Sequence, residues 1–243
     1  MDERARTDFL EAKKQRTQVV ELPGKTSSFA YWFPPNFEEM PEKRVMVLIH
    51  GHTGNPFRQI LRMQNAAGEY GFGLLALPWE WPLGNGKEYR QVRPEMLYVA
   101  ITRALDHMEA RHRVDKRRSA WLGFGKAAQL CAQIAYLDRN VDRSYFELFI
   151  AVSGNLGRRA PFMKKLLDGA YGSKPLAGKR FYLWCGETDE RVLCPGVEQS
   201  EAMLKRAGAT VVRTRKGSEG HAGFYTNPVY IKEAVRYWRQ PKS

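Results

Sequence analysis

Two residues 32 positions apart could together move a proton: Asp189, in Gly186-Glu187-Thr188-Asp189-Glu190-Arg191-Val192, and His221, in Gly217-Ser218-Glu219-Gly220-His221. Each follows a strand-like run. The interval between them suits one helix and one strand, which would return both loops to the same sheet edge. A carboxylate placed there accepts a hydrogen bond from one imidazole nitrogen, fixes the tautomer and stabilises the imidazolium. The other nitrogen is then left to act as a base. Two further loops interrupt apolar runs abruptly: His50-Gly51-His52-Thr53-Gly54 after Val45–Ile49, and Gly123-Phe124-Gly125-Lys126-Ala127 after Ser119–Leu122.

In their order and placement these loops resemble the α/β-hydrolase family, and within it small carboxylesterases and depolymerase-like esterases. The resemblance covers roughly residues 17–240, by the strand, elbow and helix order of nucleophile, acid and histidine. His50-Gly51 matches the family's His-Gly loop, Gly186 to Val192 its acid loop, and Gly220-His221 its Gly-His turn before the last helix. The resemblance implies an esterase-like site with Asp189 and His221 as acid and base. It also implies an oxyanion hole built from the backbone amides of Lys126 and His52.

The elbow departs from the family. Its Gly-x-Ser-x-Gly motif holds a serine on a strained turn, whereas this chain has Gly125 at that position and Ala127 in place of the last glycine. Glycine accepts the unusual backbone angles of such a turn, so the shape can persist. It has no side chain with which to form an acyl-enzyme, so the two-step mechanism is closed to it. Cys131 reads as a buried small hydrophobe. Ser153 reads as pocket lining rather than nucleophile, Ser218 sits near His221 on no poised turn, and Thr53 belongs to the oxyanion loop. None replaces the missing hydroxyl. His50 and His52 are expected to shape their turn by hydrogen bonding, and no metal is expected because no third ligand is evident. Trp79 and Trp81 follow a strand on the same edge, as an apolar wall over the pocket or as core packing.

Around these loops the chain alternates strands and helices. Residues 1–16 read as a polar helix or arm, set before a domain over 17–243. The stretches TQVVEL and SSFAYWF flank Pro23-Gly24-Lys25 as a hairpin. Buried strands are expected at Val45–Ile49 and Gly73–Leu77, and further strands at Ser119–Leu122, Phe146–Val152, Arg180–Cys185 and Thr210–Arg215. Helices are expected at Phe57–Tyr70, Pro94–Arg111, from Lys126, at Val197–Ala207 and at Pro228–Trp238. Pro78–Arg93, with Gly84-Asn85-Gly86, reads as an ordered surface loop. The pattern predicts a single α/β-hydrolase domain: a mostly parallel, doubly wound sheet flanked by helices, with an antiparallel N-terminal edge hairpin.

The 243 residues suffice to bury a core without staples, and 43% hydrophobic content excludes a wholly disordered chain. The longest apolar run, Val45–Ile49, falls far short of the ~20 residues that span a bilayer. Cys131, Cys185 and Cys194 show no CxxC or Cys/His spacing, so neither a disulfide framework nor structural zinc is expected, and the default compartment is a reducing cytoplasm. The formal charge of +13 raises nucleic acid or an anionic surface as a partner. Its spread along the chain favours a solvated surface.

Three readings follow. The first is an esterase-like scaffold that has lost its nucleophile and binds a small ester- or acyl-like ligand without a cofactor. In the second, Asp189 and His221 activate water directly. In the third, the chain is a basic binding module.

Overall fold

The computed structural model describes residues 3–22, 28–83, 88–140, 143–157 and 160–241. Its contacts group into two compact units, residues 1–119 and 120–243.

In the first unit, helix α1 (Glu3–Lys14) precedes strands β1 (Gln18–Glu21) and β2 (Ser28–Trp32), which pair antiparallel from Gln18↔Tyr31 to Glu21↔Ser28. The turn expected at Pro23–Lys25 lies outside the described residues. Strands β3 (Val45–Ile49) and β4 (Gly73–Leu77) are buried at every position, as their unbroken apolar sequences require. They run parallel, and β2 lies antiparallel to β4, giving the order β1-β2-β4-β3. Helix α2 (Pro56–Tyr70) makes the crossover. Pro56 begins it, the Asn55 side chain accepts from the Arg58 amide at 2.9 Å, and Gly71 ends it in the left-handed region. α1 packs on α2 through an edge-on Phe9–Phe57 contact and a 2.7 Å bond from Asn55 Nδ2 to Asp8.

The segment expected as a loop, Pro78–Arg93, is instead a β-hairpin of β5 (Glu80–Leu83) and β6 (Glu88–Gln91), paired from Glu80↔Gln91 to Leu83↔Glu88. Its two strands have only four residues each, too few for an alternation readable in sequence. Gly84-Asn85-Gly86 lies outside the described residues. Helix α3 (Pro94–His112) then buries Leu97, Ile101, Ala104, Leu105 and Met108 along one stripe, at the helical spacing. Just after it, Lys116 lies 2.8 Å from both Asp106 and Glu109 of α3, and those carboxylates push its ammonium pKa up.

The second unit opens in β7 (Ser119–Phe124), buried throughout. The helix expected from Lys126 starts later than predicted. Gly125–Leu130 is a 3-10 segment, a tighter turn common where helices begin, and α4 (Cys131–Leu137) follows it. Then come β8 (Phe146–Val152), α5 (Pro161–Leu167), β9 (Arg180–Gly186), α6 (Cys194–Arg206), β10 (Thr210–Gly217), α7 (Gly223–Thr226) and α8 (Pro228–Arg239), with β8, β9 and β10 pairing parallel in that order. Asp138, just after α4, is buried against Lys179 at 2.8 Å, and its carboxylate also accepts from Ser144 and two backbone amides.

One expectation is overturned. Cys185, in β9, and Cys194, the first residue of α6, form a disulfide with Cα atoms 5.4 Å apart. Their separation of nine residues matches no ligand motif, but the turn after β9 carries the chain back so that α6 starts beside the strand it left. With that bridge, the cysteine argument for a reducing compartment no longer holds. Among the described residues no helix is long and apolar enough to cross a membrane.

Candidate active site

Asp189 lies in the turn after β9, 2% exposed. Its Oδ1 accepts from the amides of Arg191 (2.9 Å) and Val192 (3.1 Å), a side-chain turn that fixes the carboxylate before any partner arrives. Its Oδ2 accepts from His221 Nδ1 at 2.7 Å. The loops carrying the two residues are joined by backbone as well, since the Glu187 amide donates to Gly217 O at 2.7 Å. With Nδ1 donating to an acid that is acceptor-only when ionised, the His221 Nε2 carries the lone pair. The His221 side chain is 24% exposed, so that lone pair is not sealed in the core.

The imidazole packs against Phe124, ring centroids 4.9 Å apart, and Phe124 also meets Tyr225 edge-on. Phe124 ends β7, and Gly125 follows it, buried, with φ of +56°. Backbone there disfavours an L side chain by about 1–2 kcal/mol, a penalty glycine escapes. The end of β8 lies directly under this turn. A Cβ on Gly154 would collide with Gly125 O and with the Ala128 methyl, so only glycine fits there. Ser153 adopts φ of +51° and is fully buried, and its Oγ donates to the His221 carbonyl at 2.6 Å. The serine expected to line a pocket thus holds the histidine's own backbone. The second unit therefore brings Gly125, Ser153, Asp189 and His221 into one neighbourhood. Lys126 is exposed beside them.

The first unit holds the other expected residues. His50 is 1% exposed, its Nδ1 donates to Gly51 O at 2.9 Å, and its own carbonyl accepts from Trp79 Nε1 at 2.7 Å. Burial pushes the His50 pKa down to about 4, against the opposing pull of the Gly51 carbonyl and the Glu80 charge. Trp79 is thus core packing at 1% exposure, while Trp81 is 40% exposed on the hairpin. His52 Nδ1 lies 2.8 Å from Glu80 Oε2, a contact that sequence reasoning missed; only a hairpin register would have pointed to Glu80. Of the other hydroxyls and thiols weighed, Cys131 is buried and accepts from Trp121 Nε1 at 3.0 Å, and burial pushes its thiol up to about 12. Such a thiol does not ionise near neutrality. Ser218 is exposed. Among the described residues no group of His, Cys, Asp or Glu is arranged to hold a metal ion.

No protein-family model matches this sequence, and neither does any curated protein. Solved structures do resemble it. A fungal esterase from Rhizomucor miehei superposes with a TM-score of 0.66 at 14% identity, covering 98% of this chain and 89% of its own. A carboxylesterase from Mesorhizobium loti gives 0.64 at 16% identity, covering 90% and 98%. An S-formylglutathione hydrolase from Agrobacterium tumefaciens gives 0.64 at 16%, covering 91% and 95%. The chain thus has the α/β-hydrolase fold of esterases, a mixed and mostly parallel sheet flanked by helices.

Proposed function

We propose that this chain is a serine-carboxylesterase-type scaffold whose nucleophile position is occupied by Gly125, so that it binds a small ester- or acyl-like ligand without forming an acyl-enzyme. The observation that carries this reading is the turn itself. Gly125 has a left-handed φ immediately after Phe124, and the ring of Phe124 packs on the imidazole that Asp189 orients. Asp189, His221 and the left-handed turn at Gly125 supply what this reading needs for acid, base and elbow, and glycine puts no hydroxyl at position 125. Loss of that group from a serine hydrolase leaves only the weak turnover that binding and oxyanion donors supply.

The exposed fraction of His221 supports a second reading, in which its Nε2 draws a proton from water at the place a serine side chain would fill. General-base catalysis of this kind contributes about 10²–10⁴-fold, short of a full triad. The basic-module reading draws less support, because Lys43, Arg44, Lys116, Arg118, Lys205 and Lys216 each lie within 3.0 Å of a carboxylate.

Gly125→Ser tests the proposal. An organophosphonate that reacts with activated serines should add covalently to position 125 of the variant, and p-nitrophenyl butyrate hydrolysis should rise at least ~10²-fold above the unmodified chain. A folded variant that takes no label and gains no turnover defeats the proposal. If the unmodified chain already hydrolyses the ester briskly and loses that rate in His221→Asn, the water mechanism holds instead.

A further inference from the structure

Glu80 is the first residue of β5, and its side chain is 1% exposed. Alternation along the hairpin puts Glu80 and Pro82 on the same face as their partners Gln91 and Tyr89. His52 meets that face. Glu80 Oε2 accepts from His52 Nδ1 at 2.8 Å and from the Thr53 amide at 3.2 Å, while Oε1 accepts from Gln91 Nε2 at 2.7 Å. The Tyr89 ring stands edge-on to the imidazole, centroids 4.7 Å apart. Burial pushes the Glu80 carboxyl up, but the bonds from Gln91, His52 and the Thr53 amide together hold it below the usual carboxylate range. It therefore stands ionised behind the ring.

The imidazole has the opposite character. Its side chain is 51% exposed, although Nδ1 is committed to a buried acid. With Nδ1 donating, Nε2 carries the lone pair of this half-exposed ring. A strap between loop and hairpin needs hydrogen bonds only, and a neutral amide at position 80 would provide them without the cost of burying a charge. An ionised carboxylate adds what a strap does not use: it fixes the tautomer with Nε2 unprotonated and stabilises the ring once it takes a proton.

We propose that His52 and Glu80 form a second acid–base site, contained in the first unit, in which His52 Nε2 draws a proton from water attacking the carbonyl of a small carboxylic ester. The water oxygen bonds to the carbonyl carbon as its proton passes to Nε2 and the carbonyl electron pair moves to oxygen. Collapse of the adduct breaks the bond to the leaving oxygen, which recovers the proton from the imidazolium. Acid and alcohol are the products, and the base is regenerated. Esters with good leaving groups suit such a site, because little protonation is needed to expel them and no acyl-enzyme forms. This site does not rest on the reading of Gly125, Asp189 and His221.

The experiment uses the full chain carrying His221→Asn, which removes the other base, with p-nitrophenyl acetate as probe. This parent should release p-nitrophenol faster than an equal concentration of free imidazole. Adding His52→Ala should lower the release by ~10²-fold or more, and millimolar imidazole should restore part of it. Adding Glu80→Gln, which keeps a hydrogen-bonding side chain, should lower it on the order of tenfold or more. The proposal is overturned if the parent is no faster than free imidazole, if either change leaves a folded protein as active as the parent, or if imidazole does not rescue a folded His52→Ala chain. Should His52→Ala fail to fold, Glu80→Gln decides.

Discussion

Ser153 combines two opposed terms whose balance can be worked out. Its φ of +51° is strained by about 1–2 kcal/mol for any residue with a Cβ. Its Oγ donates to the His221 carbonyl at 2.6 Å from a fully buried position, a bond contributing about 0.5–1.5 kcal/mol net. Ser153→Ala keeps the strain and loses the bond, so it should cost about 0.5–1.5 kcal/mol. Ser153→Gly loses the same bond but escapes the strain, less the roughly 0.4–1 kcal/mol that glycine adds to the entropy of the unfolded chain. The glycine variant should therefore be more stable than the alanine variant by on the order of 0.5–1 kcal/mol, the reverse of the usual order of these residues in regular structure. Urea unfolding at fixed pH measures both, and in thermal melts the difference corresponds to about 1–4 °C. Neither change adds atoms, so crowding does not intervene. An alanine variant as stable as the glycine variant, or more so, would refute the account of how the His221 backbone is held.

Two other expectations are open to direct measurement. Because the folded-state pKa of His50 is depressed to about 4 from the ordinary 6.5, its contribution is complete above pH 6.5 and is lost as pH falls towards 4, where the unfolded chain binds a proton that the folded chain refuses. Unfolding free energies should thus fall between pH 6.5 and 4 by up to ~3 kcal/mol more in the native chain than in His50→Gln, and equal slopes would contradict the buried, neutral assignment. The Cys185–Cys194 bridge closes a loop of nine residues' separation, for which chain entropy gives about 2–3 kcal/mol. The double change Cys185→Ser with Cys194→Ser, or full reduction, should lower the melting temperature by roughly 4–12 °C. An unchanged melt would mean that the bridge adds nothing to the fold.

The parts legible in sequence were those where one physical requirement acts alone. Val45–Ile49 and Gly73–Leu77 are apolar at every position because both faces are covered, and the loop that ends β9 stands out because polar residues follow such a run at once, while His221 stands out by its Gly220-His221 turn before the last helix. Asp189 and His221 could be named on that ground. Features that depend on two segments meeting were not legible. Glu80 acquires meaning only when the hairpin register sets it opposite Gln91, and Ser153 only when the end of β8 comes to lie under the His221 carbonyl. The cysteine pair was hidden because nothing in a nine-residue spacing says that α6 begins beside β9.

Asp189 and His221 are held by different means, and this bears on the proposed site's lack of a side chain at position 125. Asp189 is fixed by its own turn, through the Arg191 and Val192 amides, inside a loop whose ends the Cys185–Cys194 bridge ties together. None of those contacts involves His221. The His221 backbone is fixed from β8 through Ser153, and its ring by Asp189 and Phe124. A side chain at position 125 takes part in none of these supports. Asp189 and His221 therefore keep their geometry without any side chain at position 125. A buried carboxylate without a hydrogen-bonded partner is costly, by several kcal/mol, whereas a turn without a hydroxyl is not. On this reasoning Asp189 and His221 form a pair that supports itself, which is why, under the proposed function, a single substitution at Gly125 is enough to ask whether the scaffold supports ester chemistry.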